Sequence, residues 1–570
     1  MRFFIPSNFF LWLLERLKPS DMHKLLCMAA LIGFLGALST LAFGQCIEWG
    51  GRLLFGSHQD LIKVASALPL WKRFLIPTLG GIVAGYVLQW ASRCQSSNTS
   101  TDYMEAISVK DGSLNIKQSL YRALSSILSI VSGSSVGREG SMVQLSAMTA
   151  LLFGKWSTLS ALDRRLLVAC GGAAGITAAY NAPIAGALFI SEIVFKSIAA
   201  QSLGPLLVAS VVSNLTIHAF LGHRPVYEMP FFTTVYDAEI FLHGGVGILA
   251  GLVAPVFLKS MAITRQWFRQ IPLGFPFKLG IGGAIVGAIS LLHPEVWGNG
   301  YGLVNQILDG QWVWQALIIV SLCKFVATVA AVGSGTVGGI FTPSLFMGAA
   351  LGFIFGEGAH MLWPSLAPSA VYAATGMAAF LAATTHAPLM AILMIFEMTG
   401  NYKVMLPAML ACVMAYSIAS RISQRSVYAD SLKPEKTATN FSTMTVKEMM
   451  HNDPPTVLHT ASLQEFERRY VASRWQNVYV IDNEKHFLGA VSLHDIRPIL
   501  QKPSQLGLQL PPQFLRKDYP RVSESSSLGR ALEVFAGHSG ERIPVINDEN
   551  KLLGYIAKTD LMLLLQESYV

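Results

Sequence analysis

Long apolar runs follow one another from about residue 24 to residue 421, and SLGPLLVASVVSNLTIHAFL is one of them. Each run approaches the roughly 20 residues that an α-helix needs to cross the hydrocarbon core of a bilayer. Only 13% of the 570 residues are charged, against roughly 25% in soluble proteins. One soluble core cannot bury so many runs, so the sequence predicts a polytopic membrane protein.

Glycine and proline interrupt many of these runs. Irregular backbone of this kind is tolerated at membrane depth only where protein or a watery cavity surrounds it. The pattern therefore predicts broken, tilted or re-entrant helices along a transport pathway.

Two landmarks recur in the membrane part, in AAYNAPIAGALFISEIVF and in ATTHAPLMAILMIFEMTG. In each copy a glutamate follows the proline by nine residues, which pairs Pro183 with Glu192 and Pro388 with Glu397. A segment rich in glycine and serine precedes each copy, GSSVGREGS and then GSGTVGGIFTP. The order of these landmarks indicates duplicated halves, which in transporters are often inverted and meet at a midplane binding site.

The two glycine-rich segments have the chemistry of an anion site. Glycine lets the backbone bend and approach a ligand closely, and a helix that begins there presents unpaired N–H groups with partial positive charge. Such a site attracts an anion without full charges, so that a permeating ion can leave.

Glu139 lies in the first of these segments, directly after Arg138. Its carboxylate is itself an anion that can compete for the site, and protonation would release it, which describes a gate. In the alternative, Arg138 and Glu139 pair with each other or with other polar groups, although adjacent helical residues do not face each other.

Other classes of function are less well supported by the residues. A cation pathway needs clustered carboxylates, and the spans carry few, notably Glu139, Glu192 and Glu397. The six cysteines show no metal-binding spacing, no nucleophile–base arrangement indicates an enzyme, and the net charge of +8 gives no nucleic-acid footprint. We expect no metal site and no required cofactor.

The tail contains a second repeat, NVYVIDNEKHFLGAVSLHDI over 477–496 and RIPVINDENKLLGYIAKTDL over 542–561. Each copy predicts a strand, an Asx-rich turn, a strand and a helix that begins near an aspartate. The expected divisions are a membrane domain over 1–430, a linker over 431–443, and soluble modules over 444–505 and 515–570.

Together these segments resemble the CLC family of chloride channels and chloride/proton antiporters. GREGS is similar to the family's GREGP and GGIFTP to its GxFxP, while NAPIAGALFISE, EMTGNY and SVYADSL also fit in order. The tail resembles a pair of CBS modules.

The resemblance implies an all-α membrane domain of two inverted halves with broken or re-entrant helices, followed by an α/β CBS pair. It implies a homodimer with one pore in each subunit, whose partners are chloride, the lipid bilayer and the second copy. The simple tail looks bacterial, which implies a multi-pass protein of the inner membrane with its CBS tail in the cytoplasm.

The resemblance also assigns residues. It makes Glu139 the gating glutamate and gives Tyr428 a hydroxyl contact to chloride, with ring packing alone as the alternative. The family's GSGIP motif is replaced by SSNTSTDYMEA, where we align Asn98 with the family's serine, and Ser97, Thr99 and Ser100 are other candidates. The implied chloride-binding residues are Asn98, Arg138, Gly140, Gly339, Ile340, Phe341 and Tyr428.

Ile193 departs from the proton-coupled members, in which a second glutamate usually follows the position of Glu192. An isoleucine cannot relay a proton, although some antiporters of the family lack this glutamate. The departure favours a voltage- or pH-gated chloride channel. The resemblance to bacterial members of the family implies a role as an electrical shunt in acid resistance. A chloride/proton antiporter is the alternative.

Paired CBS modules often bind adenine nucleotides, with a G-x-x-T/S-x-x-D pattern at the ribose. GAVSLHD supplies Ser492 and Asp495, whereas GYIAKTD supplies Asp560 but has Ala557 in the hydroxyl position. The alternative is a tail that only stabilises the dimer, with both aspartates acting as helix N-caps.

Overall fold

The computed structural model divides the chain into two compact units, Met1–Lys433 and Pro434–Val570. It describes residues 21–56, 61–94, 100, 102–108, 114–154, 161–223, 225–230, 237–423, 426–429, 444–473, 475, 477–500, 508–538 and 540–562.

The first unit is helical throughout its described part. Its helices are α1 Asp21–Phe55, α2 Leu61–Ala67, α3 Leu70–Arg93, α4 Tyr103–Ser108, α5 Ile116–Val131, α6 Glu139–Gly154, α7 Ala161–Tyr180, α8 Pro183–Leu188, α9 Ala200–Leu221, α10 Ile240–Gln270, α11 Phe275–Leu292, α12 Tyr301–Leu308, α13 Trp314–Gly333, α14 Phe341–Leu362, α15 Ser369–Thr385, α16 Pro388–Thr399 and α17 Met405–Ile422. A π-helical segment, Phe189–Val194, continues α8.

Among the residues just described, eight helices are long and apolar enough to cross a membrane, namely α1, α3, α9, α10, α11, α13, α14 and the helical stretch that ends with α17. Helix α15 is shorter, and all of its residues are buried. A helix that is apolar all round belongs in the interior of a large protein or bundle, and α15 packs there against α14, α17 and α10.

The two glycine-rich segments end one helix and begin the next. Gly133 follows α5 with a φ of +91°, and Gly335 follows α13 with a φ of +99°. This left-handed backbone costs glycine little and other residues more. The chain therefore turns sharply before α6 and before α14, as the interrupted runs predict.

The two halves are joined by a reciprocal exchange of carboxylates. Glu192 accepts hydrogen bonds from the backbone N–H groups of Leu389 (3.3 Å) and Met390 (2.8 Å) at the start of α16. Glu397 accepts them from Ile184 (2.9 Å) and Ala185 (2.8 Å) at the start of α8. Reciprocal contacts of this kind are the mark of a two-fold relation, so the repeated Pro-to-Glu spacing corresponds to an approximate two-fold axis.

The second unit contains two three-stranded sheets of the same topology, β1–β2–β3 and β4–β5–β6. In each sheet the first pair of strands is parallel and the second antiparallel, with a register shift at Val480/Ile481 and again at Val545/Ile546. The elements are β1 Thr456–Leu458, α18 Leu463–Ser473, β2 Asn477–Ile481, β3 Phe487–Ser492, α19 Leu493–Leu500, β4 Val522–Ser523, α20 Leu528–Ala536, β5 Arg542–Ile546 and β6 Leu552–Ala557. The predicted α/β repeat of the tail is confirmed.

Candidate anion site between two broken helices

The two glycine-rich segments meet at Gly137 and Gly339. The N–H group of each glycine donates to the carbonyl oxygen of the other, and both bonds measure 2.7 Å. These two amides are therefore used by the backbone, and an anion would have to be bound by the amides that follow them.

The amides that follow belong to the first turns of α6 and α14. The first amide bonded within the helix is that of Met142 in α6 and of Ser344 in α14. The earlier N–H groups have no acceptor within the helix, and they form the positive end of the helix dipole. Two such ends come together because the Gly137–Gly339 pair lies directly before both.

A cavity of about 530 Å³ lies at these helix starts. Six of the residues expected at the anion path line it, namely Glu139, Gly140, Gly339, Ile340, Phe341 and Tyr428. Arg138 does not appear among the described residues that line the cavity, and Asn98 lies outside the described residues. The cavity wall also carries Arg122, Arg265 and Arg269, whose positive charge raises the local concentration of anions.

The side chain of Glu139 is buried, with 4% of its surface exposed. Its Oε1 accepts a hydrogen bond from the hydroxyl of Thr342 at the start of α14. Within the part of the chain that the structure describes, Oε2 has no hydrogen-bond partner. It lies against Gly137 and Gly339, where a Cβ on either residue would overlap the carboxylate.

Thr342 in turn contacts a second hydroxyl, that of Tyr180 at the end of α7, at 3.1 Å. Neither residue was among the predicted site residues. Both lie inside or directly beside motifs that the sequence shows, because Thr342 is in GGIFTP and Tyr180 precedes NAPIAG. A hydroxyl side chain in or beside each motif is the sequence signal by which these two residues could have been found.

Two further tyrosines lie near the carboxylate. Tyr428 lines the cavity, and its ring packs edge-on against Phe189 with centroids 5.5 Å apart. Tyr227 is fully buried and interacts electrostatically with Glu139 and Arg138. In the described residues its hydroxyl has no hydrogen-bond partner.

Ile193 lies in the π-helical segment and is 4% exposed, packed within the main hydrophobic cluster of the membrane unit. The adjacent Glu192 caps the start of α16 through Leu389 and Met390. Glu192 therefore has a structural role at this helix start.

The two aspartates of the tail that were predicted to contact a nucleotide are bonded to other side chains of the tail. Asp495 accepts hydrogen bonds from Nε (3.0 Å) and Nη2 (2.7 Å) of Arg516, and Asp560 lies 2.8 Å from Nε2 of His451. The alternative role as N-caps is wrong, because Asp495 lies within the first turn of α19 and Asp560 also has helical backbone. Ser492 ends β3 and is half-buried.

A small cavity in the tail holds about 20 Å³, far below the volume of a ligand pocket. Its lining includes Tyr519, and burial raises the pKa of that hydroxyl to about 12. Beside it the Arg542 guanidinium lies 4.3 Å from the centroid of the Trp475 ring. Ser492, Asp495 and Asp560 are not among the residues that line this cavity.

The comparisons with known proteins match the two compact units of the chain separately. A family model described as voltage gated chloride channel matches residues 80–420. A CBS domain model matches residues 446–502 and 513–567.

Curated relatives are similar over the membrane unit. A putative chloride channel protein, ClcB-like, from Ralstonia nicotianae is 50% identical over 413 residues, which cover 72% of this chain and 96% of the relative. The voltage-gated ClC-type chloride channel ClcB of Escherichia coli is 38% identical over 415 residues, which cover 71% of this chain and 98% of the relative.

Solved structures extend the likeness. A slow cyanobacterial Cl⁻/H⁺ antiporter matches with a TM-score of 0.64 and 26% identity, over 72% of this chain and 97% of that chain. A eukaryotic CLC transporter matches with a TM-score of 0.61 over 95% of this chain and 99% of that chain, and at 18% identity the likeness concerns the fold alone. The chain therefore belongs to the CLC family of chloride channels and transporters, as a multi-pass membrane protein that carries a C-terminal pair of CBS domains.

Proposed function

We propose that this protein is a chloride channel in which Glu139 is the gate. The observation that carries the proposal is the buried carboxylate of Glu139, held where the first turns of α6 and α14 converge on one cavity. A carboxylate and a chloride ion compete for the same positive helix ends.

Protonation of Glu139 neutralises the carboxylate and removes its attraction to those helix ends. The side chain then leaves the site, and chloride passes along Gly140, Ile340, Phe341 and Tyr428. Because the ionised carboxylate also carries charge within the membrane, its movement responds to voltage. Gating by pH and by voltage thus follows from one group.

Support for a channel over an exchanger comes from Ile193. This residue is packed in the apolar core, and its side chain cannot accept or release a proton. The second candidate is a chloride/proton antiporter, favoured by the 26% identity to the solved Cl⁻/H⁺ antiporter.

The ratio of proton flux to chloride flux decides between the two candidates. The purified protein is placed in vesicles with a chloride gradient, and external pH and chloride are recorded together while the membrane potential is clamped. A channel releases chloride without moving protons uphill. Proton uptake in fixed proportion to chloride would establish the antiporter. Ile193→Glu tests whether an acid at this position introduces coupling.

We further place the protein as a homodimer in a bacterial inner membrane with its CBS tail in the cytoplasm, where a passive chloride path balances the charge moved during acid stress. The bacterial relatives support this placement. For the tail we favour a role in stabilising the assembly, because Asp495 and Asp560 are bonded to Arg516 and His451. Cross-linking in native membranes and the loss of dimer on removal of the tail test these points.

A further inference from the structure

Three side chains at the site form a directed chain of hydrogen bonds. Thr342 donates its single hydroxyl hydrogen to Oε1 of Glu139. The 3.1 Å contact between Thr342 and Tyr180 must then use the hydrogen of Tyr180, with the Thr342 oxygen as acceptor. The order is therefore Tyr180 to Thr342 to Glu139, and we call Tyr180 and Thr342 the hydroxyl chain.

The hydroxyl chain is buried and held in place by packing. Tyr180 is 4% exposed and Thr342 2% exposed. The Tyr180 ring packs on the ring of Phe341, with centroids 4.6 Å apart. Tyr180 ends α7 in the first half of the membrane unit, whereas Thr342 begins α14 in the second half. The hydroxyl chain therefore connects Glu139, in the first half, to the broken helix α14, in the second half.

Other polar groups also face this region, from the segments packed around α6. Tyr227 and Tyr428 interact electrostatically with Glu139, as Tyr180 does. Among the residues that the structure describes, the other titratable or charged groups beside the carboxylate or on the cavity wall are Arg138, Asp102, Tyr103, Arg122, Arg265 and Arg269. The Glu139 carboxylate accepts a hydrogen bond from Thr342, and the Tyr180 hydroxyl also interacts with this carboxylate directly.

We propose that the hydroxyl chain holds the ionised side chain of Glu139 in the anion site and so sets the pH at which the pathway opens. A hydrogen bond to an ionised carboxylate favours the charged form, and a second hydroxyl behind the donor strengthens it by polarisation. Tyr180 and Thr342 are positioning residues here, since they act through Glu139. The proposal rests on the proposed gating function.

Thr342→Val is the main test, because valine keeps the shape of threonine and removes the hydroxyl. Loss of this donor weakens the ionised, closed form, so protonation opens the pathway at a higher pH. We expect the midpoint of chloride flux against pH to rise by about one pH unit, the size expected for one charge-assisted hydrogen bond. Thr342→Ser, which keeps the hydroxyl, should retain the wild-type midpoint.

Tyr180→Phe removes only the second hydroxyl and keeps the ring on Phe341. We expect a smaller rise in the midpoint than for Thr342→Val. Because Tyr180 acts mainly through Thr342, with a further interaction of its own with Glu139, the double variant should show a midpoint close to that of Thr342→Val and below the sum of the two single shifts. Additive shifts in the double variant would overturn the order of the chain.

Glu139→Gln separates this inference from the gating proposal. If Glu139→Gln abolishes the pH dependence while Thr342→Val keeps the wild-type midpoint, the gate stands and the hydroxyl chain is refuted. If Glu139→Gln keeps a pH-dependent flux, the gating proposal itself fails. In the Glu139→Gln background, Thr342→Val should leave the flux unchanged, and a change there would assign Thr342 a role in folding or conduction instead. Monodisperse elution of each variant confirms that it is folded.

Discussion

Gly137 and Gly339 exchange two backbone hydrogen bonds, and this pair fixes the two broken helices beside the Glu139 carboxylate. A methyl group on Gly339 would overlap that carboxylate, although its backbone conformation is one that alanine can adopt. We therefore expect Gly339→Ala to displace Glu139 and to raise chloride flux at neutral pH several-fold. Flux from protein-containing vesicles measures this.

Gly358→Ala is the matched control, since Gly358 lies in α14, the helix that Gly339 precedes, and a Cβ there meets open space. It should behave as the wild type. An unchanged pH profile for Gly339→Ala would show that the carboxylate does not occupy the buried position during gating.

Glu139→Gln should conduct chloride at every pH. In the wild type the flux should rise as pH falls, because protonation neutralises the carboxylate and frees the helix starts. Glutamine has the shape of the protonated acid and no charge to lose, so the curve should become flat at a high level. Flux recorded over the acidic to neutral range checks this, and a flat curve at a low level would contradict it.

Arg269→Gln should reduce chloride flux at low ionic strength and have little effect at high salt. Arg269 is exposed at the end of α10 and lines the cavity, so its charge attracts chloride over distances that salt screens. Lys259→Gln is the control, because Lys259 is exposed on the same helix away from the lining residues. Equal losses in both variants would indicate a general charge effect.

Glu192→Gln and Glu397→Gln should each lower the melting temperature of the protein by a similar amount. Each carboxylate accepts two backbone hydrogen bonds, and a charge-assisted bond contributes about 1.5–3 kcal/mol. Thermal unfolding in detergent measures the effect. If Glu192→Gln instead altered the proton-to-chloride ratio with an unchanged melting temperature, its role would be in transport.

Adenine nucleotide should leave the melting temperature of the full-length protein unchanged. Asp495 is bonded to Arg516 and Asp560 to His451, so a ribose would have to compete with these contacts. Thermal unfolding with and without ATP, with inorganic triphosphate as the control, tests this. A rise specific to ATP that Asp495→Ala removes would show that the tail rearranges to bind nucleotide.

Much of the membrane fold could be predicted because its signals are local. Runs of apolar residues predict membrane-spanning helices, and glycine-rich segments predict where a helix ends and the next begins. The equal spacing of Pro183 to Glu192 and of Pro388 to Glu397 reports the duplication. Glu139 could be singled out as the candidate gate because it is a carboxylate in a glycine-rich segment between apolar runs.

The partners of these residues could not be predicted, because they come from distant segments. Thr342 lies on α14 and Tyr180 on α7, and their contact with Glu139 depends on how the two halves pack. The N-cap assignment of Asp495 and Asp560 failed because each helix begins before its aspartate, and the partners of the two carboxylates were not predicted either. A local pattern places an aspartate near a helix start, but Arg516 and His451 approach from elsewhere in the tail.

The crossed carboxylates of Glu192 and Glu397 make each half incomplete without the other. A half produced alone would retain a carboxylate without the N–H groups that donate to it, and a helix start without the carboxylate that accepts from it. We infer that the duplicated units became dependent on each other once these acids crossed the axis. Neither half could afterwards be exchanged or deleted on its own, although the two remain recognisable copies.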